Sequence, residues 1–429
     1  MAGLSNRGIF ILRPTLFAIT MGSIFIIACG SDFGSLFDKL GNSSNCGVRS
    51  LLEPPNDFSL LSSCSPPATR LFVCESSGGN NRITIYDIEA ISDGENAINV
   101  LGQPDFTSLG VATTQSGISS CAGGQQGLVG TYLFATDLGN SRIMVWDVDS
   151  LTNGKNATYV LGKANFTSGT AGTTQAQLNS PRQVAYDSTN NRLFVSDRGN
   201  NRVMIFNVAS ISDGQNAVNV LGQANFTSSS TATTQSGMSS PYGVAYDSTN
   251  NRLFVADEGN HRVLVFDVST ITDGKNAQNV LGQSDFTSGF ANRGGSAGQN
   301  TLSLPQALAY ANSNLYVVDQ NNNRVVIFDV GTLTNGENAA NVLGQPDFIT
   351  ISTGTTAAKM NAPEGIGLDV NGNRLFVAEY SNRRVSVFDT ASISNGENAV
   401  NVLGQSSFTT NTGATTQAGM RTPDGIALK

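Results

Sequence analysis

Residues 241–283 have the sequence PYGVAYDSTNNRLFVADEGNHRVLVFDVSTITDGKNAQNVLGQ, and this stretch recurs along the chain with small changes. Its ending, NVLGQ, occurs five times and once more in an altered form at 159–163. A second marker is an apolar triplet whose first residue recurs every 60 or 62 positions, at Leu71, Leu133, Leu193, Leu253, Leu315 and Leu375. A fixed period of this length is typical of a repeat architecture, so the usual division of 429 residues into two or three domains does not apply.

Each repeat predicts four β-strands. In the quoted copy they cover 241–247, 252–257, 262–268 and 278–283, with Gly and Asn in the turns between them. Both residue types accept the positive φ that tight hairpins need, and β-branched and aromatic residues fill the strands. The second and third strands are apolar on both faces, so neighbouring sheets must cover both sides. Four-stranded sheets packed face to face around an axis meet this requirement.

The two ends of the repeat region complement each other. The chain finishes with PDGIALK at 423–429, a first strand that no second strand follows. The first repeat begins with ATRLFVC at 68–74, a second strand that no recognisable first strand precedes. Pairing these segments completes one sheet and removes its open edge. We therefore predict an all-β fold, a six-bladed β-propeller of four-stranded blades, closed by pairing the C-terminal strand with the N-terminal blade.

The repeated motif resembles that of NHL-repeat propellers. The resemblance rests on Pro-x-Gly-Val-Ala-Tyr-Asp followed by Leu-Phe-Val-Ala-Asp-x-Gly-Asn-x-Arg-Val, and it extends over 68–429. Two departures stand out. Each repeat is near 60 residues long because the loop from the fourth strand to the next first strand is long. One copy also has a shorter turn, at 311–314. In the second copy Cys121 replaces the Pro, and GGQQG at 123–127 replaces the first strand.

The N-terminus has the features of an export signal. Arg7 and Arg13 precede an apolar stretch at 14–27 that is too short and too interrupted for a transmembrane span. It ends in IIACGS, which resembles the bacterial lipobox and implies that Cys29 is diacylated and becomes the first mature residue. Several acyl chains give stable membrane attachment. A signal peptide cut elsewhere and an uncleaved anchor are the alternatives.

These features predict an exported bacterial lipoprotein. No Asp follows Cys29, which resembles an outer-membrane address, so we expect the protein at the outer membrane or cell surface. The predicted organisation is a signal peptide at 1–28, a lipidated Cys and polar tether at 29–67, and the propeller at 68–429. The four other cysteines are Cys46, Cys64, Cys74 and Cys121. In an exported chain they can form two disulfides, with three possible pairings, or one or more of them can remain free thiols.

Composition disfavours several functions. Charged residues make up 13% of the chain and the net charge is −8, without the basic patches that nucleic acid binding needs. The single histidine, His261, cannot support a zinc site built from several His. GGSAG at 294–298 matches G-x-S-x-G, but it lies in a Gly-rich loop rather than between a strand and a helix.

An acid and an arginine recur in every repeat. An Asp or Glu ends the second strand at Glu75, Asp137, Asp197, Asp257, Asp319 and Glu379. An Arg opens the third strand at Arg82, Arg142, Arg202, Arg262, Arg324 and Arg384. A residue that occurs six times is a poor candidate for a single catalytic role. We expect these pairs to tie turns or adjacent blades together through charged hydrogen bonds.

We expect functional residues at the two positions where the repeats disagree. One follows the Pro of the first strand and is occupied by Arg182, Tyr242, Gln306, Glu364 and Asp424. The other follows the acid of the second strand and includes Arg198, Glu258, Gln320 and Tyr380. In related propellers these positions lie near the central opening on one face, and charged, amide and aromatic groups together suit a binding site. Sequence drift at exposed loops explains the same variation.

We therefore predict a membrane-tethered, monomeric binding or scaffold propeller that recognises a protein, peptide or glycan through one face. One alternative is a metal-dependent hydrolase or lyase that acts at the central channel and uses calcium, which is the only candidate cofactor. The other is a purely structural surface lipoprotein. The sequence contains no specific catalytic motif.

Overall fold

The computed structural model describes residues 19–21, 24–26, 69–76, 78, 80–121 and 127–429. The chain divides into two compact units, Met1–Pro67 and Ala68–Lys429. In the first unit, strands β1 (Ile19–Met21) and β2 (Ile24–Ile26) pair antiparallel. The predicted lipidation site Cys29, the tether, Cys46 and Cys64 lie outside the described residues. Within the described ranges, no helix has the length and apolarity needed to cross a bilayer.

The second unit is a propeller of six four-stranded antiparallel sheets, which we number as blades 1 to 6. The first strands of blades 1 to 6 are β26 (Pro423–Leu428), β6 (Gly127–Val129), β10 (Pro181–Asp187), β14 (Pro241–Asp247), β18 (Pro305–Ala311) and β22 (Pro363–Asp369). The second strands are β3 (Arg70–Glu75), β7 (Tyr132–Asp137), β11 (Arg192–Asp197), β15 (Arg252–Asp257), β19 (Asn314–Asp319) and β23 (Arg374–Glu379).

The outer half of each blade is equally regular. The third strands are β4 (Arg82–Asp87), β8 (Arg142–Asp147), β12 (Arg202–Asn207), β16 (Arg262–Asp267), β20 (Arg324–Asp329) and β24 (Arg384–Asp389). The fourth strands are β5 (Asn99–Leu101), β9 (Tyr159–Leu161), β13 (Asn219–Leu221), β17 (Asn279–Leu281), β21 (Asn341–Leu343) and β25 (Asn401–Leu403). Short 3-10 helices cover Arg198–Asn200, Glu258–Asn260, Ala291–Gly294 and Gln320–Asn322. The predicted all-β, six-bladed fold is confirmed.

Blade 1 closes the ring as predicted. Its first strand, β26, comes from the end of the chain and pairs antiparallel with β3, with Ile426 opposite Val73 and Leu428 opposite Leu71. The backbone amide of Thr69 donates a further hydrogen bond of 2.7 Å to the carbonyl of Lys429. The two ends of the repeat region therefore share one sheet, and β3 is paired on both of its sides, with β26 and β4.

Hydrophobic packing between neighbouring blades holds the ring together. Between blades 3 and 4, for example, Phe194 and Ile205 pack with Leu253 and Leu264, and all four are fully buried. Five further clusters of the same kind join the described parts of the other blades. Each fully buried Leu, Ile or Phe contributes about 1.5 to 3 kcal/mol. This packing explains why strands two and three are apolar on both faces.

Six buried ion pairs connect the blades to their loops. In blade 4, Arg262 Nε lies 2.8 Å from Asp257 Oδ2, and both side chains are fully buried. The same guanidinium donates to the carbonyls of Thr234 and Gly237 in the loop that precedes the blade, and to that of Phe286 in the loop that follows. The equivalent pairs in the other blades are equally buried. The predicted charged ties are confirmed, and they anchor the long loops.

A disulfide joins blade 1 to the start of blade 2. Cys74 in β3 bonds to Cys121, with the Cα atoms 5.5 Å apart. Cys121 stands where the other repeats have the Pro of the first strand, and it bridges to Asp137 at the end of β7. Residues 122–126 are not described, and β6 is short. The covalent bond thus secures the blade whose first strand departs most from the repeat.

Candidate functional site

The variable positions lie at one end of the propeller, which we call the loop end. Here the first strands begin, the second strands end, and the long loops from each fourth strand arrive. Each first strand except β6 begins with a Pro opposite the acid that ends the second strand, as Pro241 lies opposite Asp257, and the register shifts immediately after it. This bulge sets the residue after the Pro apart from the regular strand pairing.

Tyr242 connects opposite blades across the ring. Its hydroxyl donates a hydrogen bond of 2.8 Å to Oδ1 of Asp424 in blade 1. Arg182 of blade 3 places its guanidinium carbon 4.8 Å from the centre of the Tyr242 ring, and its Nη1 lies 3.8 Å from Asp424 Oδ2. Tyr242 and Asp424 are each only 2% exposed, whereas 16% of the Arg182 side chain is exposed. The pair is therefore a buried brace, and the arginine reaches the surface.

Glu364 of blade 6 extends this network. It is hydrogen-bonded to Asp424, and Gln320 Nε2 of blade 5 donates to its Oε1 at 3.0 Å. Burial raises the pKa of Glu364 well above its usual value, the charge of Asp424 raises it further, and Arg182 acts in the opposite direction. Burial and the Asp424 carboxylate likewise raise the pKa of Tyr242, which keeps its phenol protonated as a donor.

A second ion pair lies on the same end of the ring. Arg198 Nε donates to Glu258 Oε2 at 2.8 Å, and the arginine side chain is 33% exposed. Both residues belong to the 3-10 helices that follow the second strands of blades 3 and 4. Tyr380 of blade 6 is half-buried. Burial raises the pKa of its phenol, and the charges of Glu364 and Asp424 raise this pKa further. Arg198 and Tyr380 are therefore partly exposed at this end of the ring, whereas the Glu258 side chain is only 8% exposed.

The network brings together five of the nine predicted binding residues by direct contact, namely Arg182, Tyr242, Gln320, Glu364 and Asp424. Arg198 and Glu258 form a separate ion pair. Within the network, the carboxyl groups of Asp424 and Glu364 both interact electrostatically with Arg182. Gln306 occupies the equivalent position in blade 5 and is 5% exposed. Its Oε1 is buried and has no hydrogen-bond partner among the described residues.

Sequence reasoning missed Gln183. This fully buried side chain crosses from blade 3, donates to the carbonyls of Val244 in blade 4 and Leu308 in blade 5, and accepts from the Leu308 amide at 3.1 Å. The hydroxyl of Ser196 supports this arrangement by accepting a hydrogen bond of 2.8 Å from the backbone amide of Gln183. The sequence did contain a signal for this residue: the other described blades have Gly or Ala at the equivalent position, so a glutamine there is an exception. Gln183 and Tyr242 thus occupy the interior of the ring between these blades.

Gly243 is required by this close approach. A Cβ at this position would lie 2.2 Å from the carbonyl oxygen of Gln306 and 3.0 Å from Gln183 Oε1. Any larger residue would push blades 4 and 5 apart, so the glycine lets the first strands converge near the axis.

The described residues contain no cluster of three His, Cys, Asp or Glu side chains that could hold a metal ion. The predicted possibility of calcium therefore stays a prediction. His261, the single histidine, accepts a hydrogen bond of 3.0 Å from the Leu304 amide through Nδ1 and adopts a left-handed backbone conformation in its turn. It fixes a loop next to blade 5.

The chain is a six-bladed β-propeller, and two of its segments match the NHL repeat. The NHL repeat family model matches residues 178–206 and 238–266, which include the first three strands of blades 3 and 4. The fold is similar to a chain in the crystal structure of a nidogen/laminin complex, with a TM-score of 0.48 and 15% sequence identity over 84% of this chain and 97% of that chain. No curated protein matches the sequence.

Proposed function

We propose that this propeller is an exported binding protein, anchored to a membrane through acylated Cys29, and that it recognises a protein or peptide with its loop end. The observation that supports this proposal is the convergence of the variable positions. The acid–arginine pairs repeat in all six blades as structural ties, whereas Arg182, Tyr242, Glu364 and Asp424 differ from blade to blade and yet contact one another.

We assign the predicted binding residues two roles according to their burial. Tyr242 and Asp424 are buried and brace the network, and Gln306 is buried beside the axis without a hydrogen bond to this network among the described residues. Arg198, Gln320 and Tyr380 are partly exposed and are available to a partner. Arg198 and Tyr380 are both partly exposed at the loop end, and they suit a protein partner because arginine and aromatic side chains are enriched at protein–protein contacts.

The partner proposal is tested with the full lipidated chain in its native membranes. Cross-linking and mass spectrometry compare the wild type with a triple variant, Arg198→Ala, Gln320→Ala and Tyr380→Ala. A matched control changes three exposed residues at the opposite end of the ring, Glu89→Ala, Ser210→Ala and Thr270→Ala. We expect one protein to be lost from the first variant alone. Equal recovery of the same proteins from all three would refute the proposed face.

The anchor is tested separately. Metabolic labelling with radioactive palmitate should label the wild type, and Cys29→Ser should abolish the label and release the protein from washed membranes. Cys64→Ser is the control, because it leaves the lipobox-like segment intact. Label retained in the Cys29→Ser variant would refute the lipoprotein assignment without affecting the propeller.

A further inference from the structure

The opposite end of the ring, which we call the turn end, differs at blade 5. There the turn from β18 to β19 contains only two residues, Asn312 and Ser313, with φ of 50° and 63°. In blades 3, 4 and 6 this turn is two residues longer and directly follows an Asp. In blade 3 that residue, Asp187, accepts a hydrogen bond of 3.0 Å from the Thr189 amide. Blade 5 has lost this whole arrangement.

The lost aspartate has an arginine partner in the other blades. Arg192 of blade 3 lies 2.6 Å from Asp187, and its Nη1 donates at 2.7 Å to the carbonyl of Val268 in blade 4. Arg70 and Arg374 make the same bond from their blades to the next. In blade 5, Ala311 and Asn314 replace the acid and the arginine. In blade 6 the residue equivalent to Val268, whose carbonyl accepts the arginine hydrogen bond, is Thr390.

The missing arginine leaves a space between blades 5 and 6. A cleft of about 260 Å³ is lined by Asn314 and Thr390 together with Tyr316, Asn341 and Asn373. A second cleft, of about 360 Å³, adjoins it and shares Ala311, Asn312 and Val370 with the first. Blade 2 also has a two-residue turn, but there Tyr132 occupies the arginine position and packs against Tyr159.

The walls of both clefts are uncharged and combine polar with apolar side chains, the latter including Ile327, Leu368 and Ile393 in the first cleft. The second cleft is lined by Tyr246, Thr249, Asn250 and Tyr310, and no Asp, Glu, Lys or Arg lines either cleft. Amides and hydroxyls both donate and accept hydrogen bonds, as the hydroxyl groups of sugars do, and tyrosine rings suit the apolar face of a sugar ring. An ionic ligand would find no partner for its charge. The combined volume falls in the range of small-molecule sites.

We propose that the two clefts of blade 5 form a binding site for a neutral oligosaccharide, with one sugar ring in each cleft. This site lies at the turn end and is independent of the loop-end network. Its sequence basis is the shortened turn together with Ala311 and Asn314, which replace an acid and an arginine that other blades retain.

The probes are maltose, cellobiose and N,N′-diacetylchitobiose, measured by saturation-transfer NMR on the purified protein. The decisive variant is Ala311→Asp with Asn314→Arg, because it restores the repeat's own residues and should fill the first cleft without unfolding the blade. A second variant, Thr390→Val, removes one hydroxyl and keeps the shape. Glu89→Ala, an exposed residue of blade 1 at the same end of the ring, is the control.

We expect at least one sugar to receive saturation transfer from the wild type and the control, and its affinity to fall about tenfold or more in the arginine variant. Thr390→Val should weaken the same sugar to a smaller extent. The proposal is overturned if none of the three sugars binds the wild type. It is equally overturned if binding is unchanged in an arginine variant whose melting temperature matches the wild type.

Discussion

Lys163 provides a quantitative test of the repeat. Five blades have a glutamine at this position, and its amide donates to two carbonyls, as Gln223 Nε2 does to Asn201 at 2.9 Å and Ser230 at 2.8 Å. In blade 2 the residue is Lys163, 3% exposed, and its Nζ has one bond of 3.3 Å to the carbonyl of Leu178. Burial lowers the pKa of Lys163 from 10.5 to about 8.

The energetic cost follows from this shift. One pKa unit corresponds to about 1.4 kcal/mol, so keeping Lys163 charged in the folded protein costs about 3 kcal/mol. Below pH 8 both folded and unfolded chains bind the proton and the cost is complete. Between pH 8 and 10.5 the unfolded chain retains the proton that the folded protein releases, so wild-type stability rises with pH. A glutamine has no such dependence.

The experiment is urea denaturation of the wild type and Lys163→Gln at about pH 7 and about pH 10. We expect the variant to be more stable at pH 7, and its advantage to shrink by about 2 kcal/mol at pH 10. Gln223→Lys, in blade 4, is the matched reverse variant and should lose stability mainly at pH 7. The difference between variants removes all other titrations. An advantage that is constant between the two pH values, or a less stable Lys163→Gln, would refute the reasoning.

Three further predictions concern stability. Replacing Cys74 and Cys121 by Ala should lower the free energy of unfolding by about 4 kcal/mol, because the bond closes a loop with a sequence separation of 47; a loss below about 1 kcal/mol in urea titrations would contradict it. Arg262→Met should cost about 3 to 5 kcal/mol, because it leaves Asp257 buried without its partner; a loss no larger than that of the exposed control Thr270→Ala would count against this. Glu364→Gln should alter the pH profile: the raised pKa of Glu364 favours folding fully below about pH 4.5, and this contribution is lost as pH rises through the folded pKa. Melting curves from pH 4 to 9 should therefore show Glu364→Gln gaining on the wild type as pH rises, and parallel profiles would disprove the shift.

The repeated features of the fold were predictable from the sequence. Six copies of the strand pattern fix the blade, and the incomplete copies at 68–74 and 423–429 predict the closure that β26 and β3 make. The recurring acid and arginine predicted the buried ties such as Asp257 with Arg262. Each of these inferences relies on several copies that give the same physical answer, since every blade must cover its faces and satisfy its buried backbone.

Features that occur once were harder to predict. Gln183 of blade 3 bonds to blades 4 and 5, but a single glutamine at a small-residue position gives no partner from sequence alone. Which variable residues are buried, as Tyr242 is, and which are exposed, as Arg198 is, depends on packing at the axis. The pairing of Cys74 with Cys121 depends on where blades 1 and 2 meet. The predicted roles of Cys29, Cys46 and Cys64 lie outside the described residues and stay predictions.

Site-specific photocross-linking tests the central claim most directly. A photoreactive amino acid replaces Tyr380 at the loop end or Ser210 at the turn end of the lipidated chain, and whole cells are irradiated. A binding propeller that uses its loop end should give one discrete adduct with a partner protein from position 380 and none from position 210. No adduct from position 380, or the same set of adducts from both positions, would contradict the proposal that the variable residues form a recognition surface.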